Sequence, residues 1–208
     1  MIPGNHDVEW WRTPLGVLGT RRKYAKYRRY FGPDLTPTLE LPGLCLASVL
    51  TSHGVVVGSL SWKLWRDTAV KGHLPAAEMA RVGEVFRRRR PGSLPILVLH
   101  HNLFRGAISR RMGLVRWRAA QAAAASSGAE LILDGHDHQE AVNLLGGQVV
   151  VATAGTHCSR IRGGRPSAFN VIEVSAVAIA VRHYAWNAGR LRFVPGESRQ
   201  FERRASAA

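Results

Sequence analysis

Two apolar runs that each end in a histidine-bearing polar segment most strongly constrain the fold. The first, residues 95–99, is almost continuously apolar and leads directly into His100. The second, residues 131–133, leads into the segment Gly135-His136-Asp137-His138. Continuous apolar runs of this kind are typical of strands that are buried on both faces. Because the loops after such strands meet at one edge of a sheet, the sequence predicts a layered α/β fold in which these histidines lie close together.

Hydrophobic periodicity predicts the other elements of a single domain. Helices are expected from Thr20 to Tyr30 or Phe31, over 75–90 and over 119–127. Short β-rich runs between turn residues predict strands over 44–49, 55–60, 149–152, 168–174 and 176–184. A chain of 208 residues fits one domain with a substantial core. We expect this domain to span residues 1–199 and to be followed by a frayed, basic and Ala-rich tail over 200–208.

The formal net charge of +15 indicates either basic solvated surfaces or an acidic partner such as nucleic acid. The basic residues are mostly arginines, scattered along a chain that is also rich in Ala and Gly. The run 87–90 falls in the last turn of a predicted helix, where the helix dipole favours cations. We therefore favour solvated surfaces over a nucleic-acid groove, and salt-dependent DNA binding would reverse that preference.

The two cysteines, Cys45 and Cys158, do not form a C-x-x-C pair, so the sequence predicts neither a disulfide framework nor a zinc ribbon. A reducing cytoplasm is the expected location. The N-terminus has no basic and then apolar signal segment, and no stretch reaches the 18 or more apolar residues of a membrane helix. We therefore expect no interaction with a membrane.

The polar segments contain residues that bind divalent metals. Asn5 offers a carboxamide oxygen, and His100, His136 and His138 offer neutral imidazole nitrogens. This mixture suits manganese, iron, zinc or nickel. In an extended segment, residues two apart point the same way, so His136 and His138 are expected to face one metal or two neighbouring ones from a single loop.

Several residues near these segments have simpler interpretations. Asp7 is expected to cap the next turn rather than to orient a histidine, and Asp137 is expected to be a solvated loop carboxylate. His157, Arg160 and Arg162 are able to reach a substrate phosphate, because arginine matches phosphate oxygens with two parallel donors. For these three, we favour a basic loop that packs over the sheet edge.

Three segments in order carry a family resemblance: Gly4-Asn5-His6-Asp7, Leu99-His100-His101-Asn102 and Gly135-His136-Asp137-His138. They resemble the later motifs of the calcineurin-like metallophosphoesterases. Residues 154–160 and 167–172 are similar to the C-terminal region of bacterial members near the cyclic-nucleotide phosphodiesterase branch. The resemblance implies a layered α/β/β/α sandwich with mixed sheets.

The resemblance also implies roles for particular residues. Asn5, His100 and His136 would bind the second of two divalent metal ions, and His138 would bind the first. His6 would lie beside the phosphate, where it stabilises charge or protonates the leaving oxygen, while His101 lies behind the ligands or is structural. The implied reaction is hydrolysis of a phosphodiester or phosphomonoester by a hydroxide that bridges the two metals.

The sequence departs from the family at its acidic motifs. An Asp-x-His and a Gly-Asp-x-x-Asp or Gly-Asp-x-x-Asn, which supply first-metal ligands and a bridging carboxylate, are not found at suitable places. We therefore expect an N-terminally truncated domain with impaired activity and at most one tightly bound metal. The alternative is a non-catalytic remnant that binds a single metal, or that binds nucleic acid through its basic surface.

Overall fold

A six-stranded mixed sheet forms the centre of the computed structural model, which describes residues 1–8, 23–54, 71–157 and 163–203. Its strands are β1 (Thr38–Leu41), β2 (Leu44–Ser48), β3 (Leu94–His101), β4 (Leu131–Gly135), β5 (Ala141–Leu145) and β6 (Val149–Thr153). They lie in the order β1-β2-β3-β4-β6-β5. The four inner strands run parallel, whereas β1 and β5 pair antiparallel at the two edges. The parallel strands therefore deliver their following loops to one edge of the sheet.

Two of the three helices described cover one face of this sheet. The helices are α1 (Ala25–Phe31), α2 (Ala76–Arg87) and α3 (Trp117–Ala125), and a 3-10 turn spans Asn5–Asp7. Val82 and Phe86 of α2 and Ala124 of α3 are fully buried in the cluster that also contains Leu97 of β3 and Ile132 of β4. Each fully buried aliphatic or aromatic side chain of this kind stabilises the fold by about 1.5–3 kcal/mol.

A three-stranded antiparallel sheet packs on the opposite face. It contains β7 (Ala168–Val174), β8 (Ala178–Asn187) and β9 (Arg192–Glu202) in the order β7-β8-β9. Ile179 and Val181 of β8 share a buried cluster with Leu94 and Ile96 of β3. The predicted layered α/β fold with mixed strand directions is therefore confirmed. Val171 and Trp186 are exposed, and within the described ranges no second helical layer covers this sheet.

The elements predicted from periodicity are largely confirmed. The helices predicted over 75–90 and 119–127 and the strands predicted over 44–49, 95–99, 131–133, 149–152, 168–174 and 176–184 are present with shifts of a few residues at their ends. The first helix begins at Ala25 and ends at Phe31, and the following Gly32 has a φ of 97°, which favours glycine. Thr20 and the strand predicted over 55–60 lie outside the described residues.

The frayed tail predicted from residue 200 onward is wrong for its first residues. Strand β9 continues to Glu202, and the Arg203 guanidinium binds both carboxylate oxygens of Glu130 at 3.0 and 3.3 Å. Both side chains of this ion pair are buried. Most side chains of β9 are exposed, and its sequence lacks the alternation of apolar residues from which a strand is predicted. Residues 204–208 lie outside the described part.

Cys45 is a buried free thiol on β2, while Cys158 lies outside the described residues. In the described ranges, no helix combines the length and the apolar composition needed to cross a bilayer.

Candidate metal centre

The segments predicted to carry ligands meet at the carboxyl edge of β3 and β4. His100 is the next-to-last residue of β3, and His136 follows the final residue of β4. These two strands are parallel neighbours, with His101 aligned opposite Gly135. The register shifts between Val98 and His101, an irregularity of the kind that redirects side chains at functional edges. The two histidine segments are therefore adjacent because their strands are adjacent.

Three donor atoms from distant parts of the chain converge at this edge. The Asn5 Oδ1 atom lies 3.0 Å from His100 Nε2 and 3.2 Å from His136 Nδ1, and the two ring nitrogens lie 3.2 Å apart. Each ring nitrogen carries at most one hydrogen, so hydrogen bonds satisfy at most two of these three contacts. Ligands about 2.0–2.2 Å from one ion and at right angles to each other are about 3 Å apart. The donor set therefore fits a single divalent ion.

The His100 ring is prepared to act as a ligand. Burial lowers the pKa of His100 to about 4, the nearby carboxylate of Asp7 opposes this change, and His6 and His138 add to it. At neutral pH the ring is therefore uncharged. In the tautomer that carries its hydrogen on Nδ1, a metal binds Nε2 without displacing a proton.

Gly4 allows the N-terminal turn to lie directly on the His100 ring. A Cβ atom at position 4 would lie 2.8 Å from Cε1 and 3.2 Å from Nε2 of His100. The turn itself is closed by Asp7, because the Gly4 N–H donates to Asp7 Oδ2 at 2.8 Å and the Asp7 N–H donates to the Gly4 carbonyl at 3.0 Å. Asp7 thus caps its own turn, and this turn holds Asn5 against His100.

Replacing Gly4 with alanine is expected to weaken Mn²⁺ binding about tenfold. The added Cβ would push the turn away from the ring and separate Asn5 Oδ1 from His100 Nε2. Isothermal titration with Mn²⁺ measures the effect. Gly83→Ala is the matched control, because a Cβ at this position of α2 meets nothing within 4 Å and alanine favours a helix by up to about 1 kcal/mol. Equal Mn²⁺ affinities for the two variants would contradict the role of Gly4.

The loop after β4 departs from the extended conformation expected from its sequence. His136 and His138 have φ values of 73° and 58°, so both are left-handed. Non-glycine residues adopt this region at a cost of order 1–3 kcal/mol, and such residues are concentrated at functional sites. The expectation that alternation in a strand aims the two rings is therefore wrong. His136 joins the donor group, whereas the group of mutually close ring nitrogens in the described residues does not include His138.

Asp137, between the two strained histidines, is buried rather than solvated as predicted. Its carboxylate accepts hydrogen bonds from Ser109 Oγ at 2.6 Å and Gln139 Nε2 at 2.5 Å. Only 4% of the residue is exposed, and a Cβ at Gly106 would overlap its Oδ2 atom at 1.6 Å. The prediction failed because the loop that covers Asp137 is about 30 residues away in the sequence. The buried carboxylate joins the loop of His136 and His138 to the loop that carries Ser109.

His101 packs behind the donors. Its ring centroid lies 4.4 Å from that of His136 and 4.8 Å from that of His100, and Thr51 Oγ1 lies 2.8 Å from its Nδ1. The residue is 1% exposed, and the Gly72 backbone lies against its ring. Its nitrogens belong to the group of close ring nitrogens, but the bond to Thr51 and the burial suit a residue that fixes the orientation of the two ligand rings.

A second buried carboxyl lies behind the same edge. The Leu103 N–H donates to Asp134 Oδ2 at 2.7 Å, which ties the loop after β3 to the end of β4. Burial raises the pKa of Asp134 to about 6, against hydrogen bonds from Thr153 and Leu103 that lower it. The sequence analysis assigned no role to Asp134. Its position directly after the apolar run 131–133 was the one indication that this carboxyl is buried.

The remaining predicted residues lie around the donor group or away from it. His6 is exposed on the N-terminal turn and lies within electrostatic range of His100, as does the half-buried His138. His157 is exposed and packs on the rings of Phe169 and Phe193, with centroids at 5.1 and 5.4 Å. This contact agrees with a loop that packs on the second sheet. The other two residues predicted for this loop, at positions 160 and 162, lie outside the described part.

Comparisons with solved structures found matches at low sequence identity. A dimetal phosphatase from Danio rerio is 10% identical, with a TM-score of 0.55 over 93% of this chain and 70% of that chain. Vacuolar protein sorting 29 from Cryptosporidium parvum is 14% identical, with a TM-score of 0.32 over 42% of each chain. GAP50, the anchor in the inner membrane complex of Plasmodium, is 12% identical, with a TM-score of 0.48 over 82% of this chain and 55% of that chain.

This chain thus spans less than half of the Cryptosporidium protein and little more than half of GAP50. No family model matches the sequence, and the comparison with curated proteins found no match. The similarity to the dimetal phosphatase shows that the two chains share a fold. In this fold, the chain carries a histidine cluster that has the geometry of a metal site.

Proposed function

We propose that this chain is the metal-binding part of a metal-dependent phosphoesterase, with one divalent ion held by Asn5, His100 and His136. The observation that carries the proposal is the convergence of their donor atoms within 3.2 Å of one another. One amide oxygen and two ring nitrogens suit manganese, iron, zinc or nickel. The fold shared with a dimetal phosphatase supports hydrolysis of a phosphate ester as the activity.

The residues around the donors have distinct parts in this proposal. Asn5, His100 and His136 would hold the divalent ion, which would supply Lewis-acid chemistry toward a phosphoryl oxygen. His6 is exposed next to the site, and we assign it the protonation of the leaving oxygen or a hydrogen bond to the phosphate. His138 would contribute to a second ion if further ligands completed that position. Asp7 and Asp137 hold the two loops in place.

One ion, rather than two, is the proposed occupancy of this chain. In the described residues, the only group of close potential ligands contains His100, His101 and His136 and includes no carboxylate. Two divalent ions about 4 Å apart repel each other strongly unless an anionic ligand lies between them. Turnover should therefore be impaired. The same observation favours a second candidate function, which is a non-catalytic protein that binds a single metal.

The proposal extends to the organisation and origin of the chain. We assign a single metallophosphoesterase domain that reaches at least Arg203, since this residue is paired with Glu130. We also propose the bacterial branch near the cyclic-nucleotide phosphodiesterases, on the basis of residues 154–160 and 167–172, and a cytoplasmic location that suits two cysteines without a C-x-x-C pair.

Hydrolysis of bis-p-nitrophenyl phosphate with one equivalent of Mn²⁺ tests the activity. We expect slow, metal-dependent release of p-nitrophenolate, below about 1 s⁻¹ and thus under the range of most enzymes. His6→Ala should reduce the rate about 100-fold, as expected for loss of a general acid, without changing Mn²⁺ affinity. His157→Ala, which also removes an exposed histidine, should leave the rate unchanged. Stoichiometric Mn²⁺ binding without turnover would replace the phosphoesterase proposal by the non-catalytic one.

A further inference from the structure

The loop that covers Asp137 carries three exposed arginines at positions 105, 110 and 111. We define residues 104–111 as the arginine loop. The loop begins shortly after β3, which ends with the pair His100 and His101, and it ends before α3. Within the described ranges, none of the three guanidinium groups takes part in an ion pair. Exposed arginines alone are usually a solvated surface, so the argument depends on how this loop is held.

The arginine loop has a defined internal structure. The Gly106 N–H donates to the Arg111 carbonyl at 3.2 Å, and the Arg110 N–H donates to the Gly106 carbonyl at 2.9 Å. At its base, Asn102 Nδ2 donates to the Phe104 carbonyl at 2.6 Å, and Asn102 itself is 2% exposed. Arg110 is held at a φ of 53°, in the left-handed region. These bonds fix the backbone positions from which the arginine side chains start.

The arginine loop is anchored on the loop that carries His136 and His138. Ser109 Oγ donates to Asp137 Oδ2 at 2.6 Å, and the Ile108 N–H donates to Gln139 Oε1 at 2.6 Å. Both acceptor residues are buried, with 4% and 3% of their surface exposed. Gly106 lies so close to Asp137 that any side chain there would overlap the carboxylate. The backbone of the arginine loop is therefore fixed against the loop that carries His136 and His138.

From this arrangement we infer that the arginine loop binds a phosphodiester strand of nucleic acid, so that neighbouring phosphates lie on the loop while one phosphate reaches the metal centre. The inference names the substrate class of the proposed phosphoesterase and rests on that function. A small phosphomonoester has one phosphate to neutralise, whereas three cations on one loop match the closely spaced charges of a strand. Arginine also binds phosphate oxygens through two parallel N–H groups.

The test compares two triple variants that lose the same charge. The first replaces the three loop residues: Arg105→Gln, Arg110→Gln and Arg111→Gln. The control replaces three exposed arginines of β8, of β9 and of the turn between them: Arg182→Gln, Arg192→Gln and Arg190→Gln. Fluorescence anisotropy with a labelled 12-nucleotide DNA strand measures affinity over a series of salt concentrations without added metal. Each contact with a single-stranded phosphate contributes about 0.7 to the slope of log affinity against log salt.

We expect the loop variant to bind the strand at least tenfold more weakly, with a salt slope smaller by about 2, since three contacts are lost. The control should change affinity less than threefold. Equal losses in both variants would show a diffuse charge effect and overturn the inference, as would the absence of strand binding by the unaltered chain. Competition by inorganic phosphate or thymidine monophosphate at equal phosphate concentration would overturn it as well, because a single phosphate would then be sufficient.

Two further measurements are needed. One distinguishes a nucleic-acid strand from a lipid surface as the source of the phosphodiester. The other distinguishes failure of this inference from failure of the proposed phosphoesterase function. Vesicles with 30% phosphatidylserine should bind the unaltered chain and the loop variant equally, and loop-dependent vesicle binding without strand binding would overturn the inference. Turnover of bis-p-nitrophenyl phosphate is measured separately, with the unaltered chain and one equivalent of Mn²⁺. Strand binding that persists without turnover therefore contradicts only the phosphoesterase proposal, whereas turnover without loop-dependent binding contradicts only this inference.

Discussion

Replacing His136 with alanine should lower the affinity of the chain for Mn²⁺ at least about 100-fold, which corresponds to about 2.8 kcal/mol. The substitution removes one of three donor atoms and leaves Asn5 Oδ1 and His100 Nε2, 3.0 Å apart, as the remaining pair. Two neutral donors compete poorly with water for a divalent ion. Isothermal titration gives both the affinity and the stoichiometry, and circular dichroism establishes that the variant is folded.

The control for this experiment is His157→Ala, which removes an exposed histidine that packs on the second sheet. It should leave Mn²⁺ affinity within a factor of two. The unaltered chain should bind one equivalent of Mn²⁺. Two equivalents that are lost together in the His136 variant would contradict the single-ion proposal. An unchanged affinity in this variant would contradict the assignment of His136 as a ligand.

The convergence of the donor atoms follows in part from features that can be recognised in the sequence. His100 and His136 each come at the end of an apolar run, and both runs became neighbouring parallel strands. Because parallel strands place their carboxyl ends at the same edge, the two histidines had to be close. The contact of the Asn5 turn with His100 could not be predicted in this way, because it depends on the absence of a side chain at Gly4. The type of ligand was therefore predictable, but the close packing was not.

The failed predictions share a dependence on tertiary contacts. Strand β9 has mostly exposed side chains, so its strand structure comes from pairing with β8 rather than from an apolar pattern. Edge strands β1 and β5 were missed for a related reason, because each has at most one buried side chain. Such strands receive half of their backbone partners and little burial, and local sequence carries few signs of either.

Asp137→Ala is the substitution expected to affect both the stability and the site. It leaves the Ser109 hydroxyl and the Gln139 amide without their buried acceptor, at a cost of about 3 kcal/mol in the free energy of unfolding. Urea unfolding of the metal-free protein measures this loss. Asp137→Asn keeps the size and one acceptor oxygen, so it should lose about 1 kcal/mol. Glu173→Ala, which removes an exposed carboxylate, should change stability by less than about 0.5 kcal/mol.

The same variant tests whether Asp137 holds the strained histidines in position. Residues with φ values of 73° and 58° relax toward ordinary conformations when their constraint is removed, and His136 Nδ1 would then leave the donor group. Mn²⁺ affinity should fall about 10- to 100-fold in Asp137→Ala, as for the loss of other groups that orient metal ligands. A variant that loses stability but keeps full Mn²⁺ affinity would show that the left-handed conformations do not depend on this carboxylate.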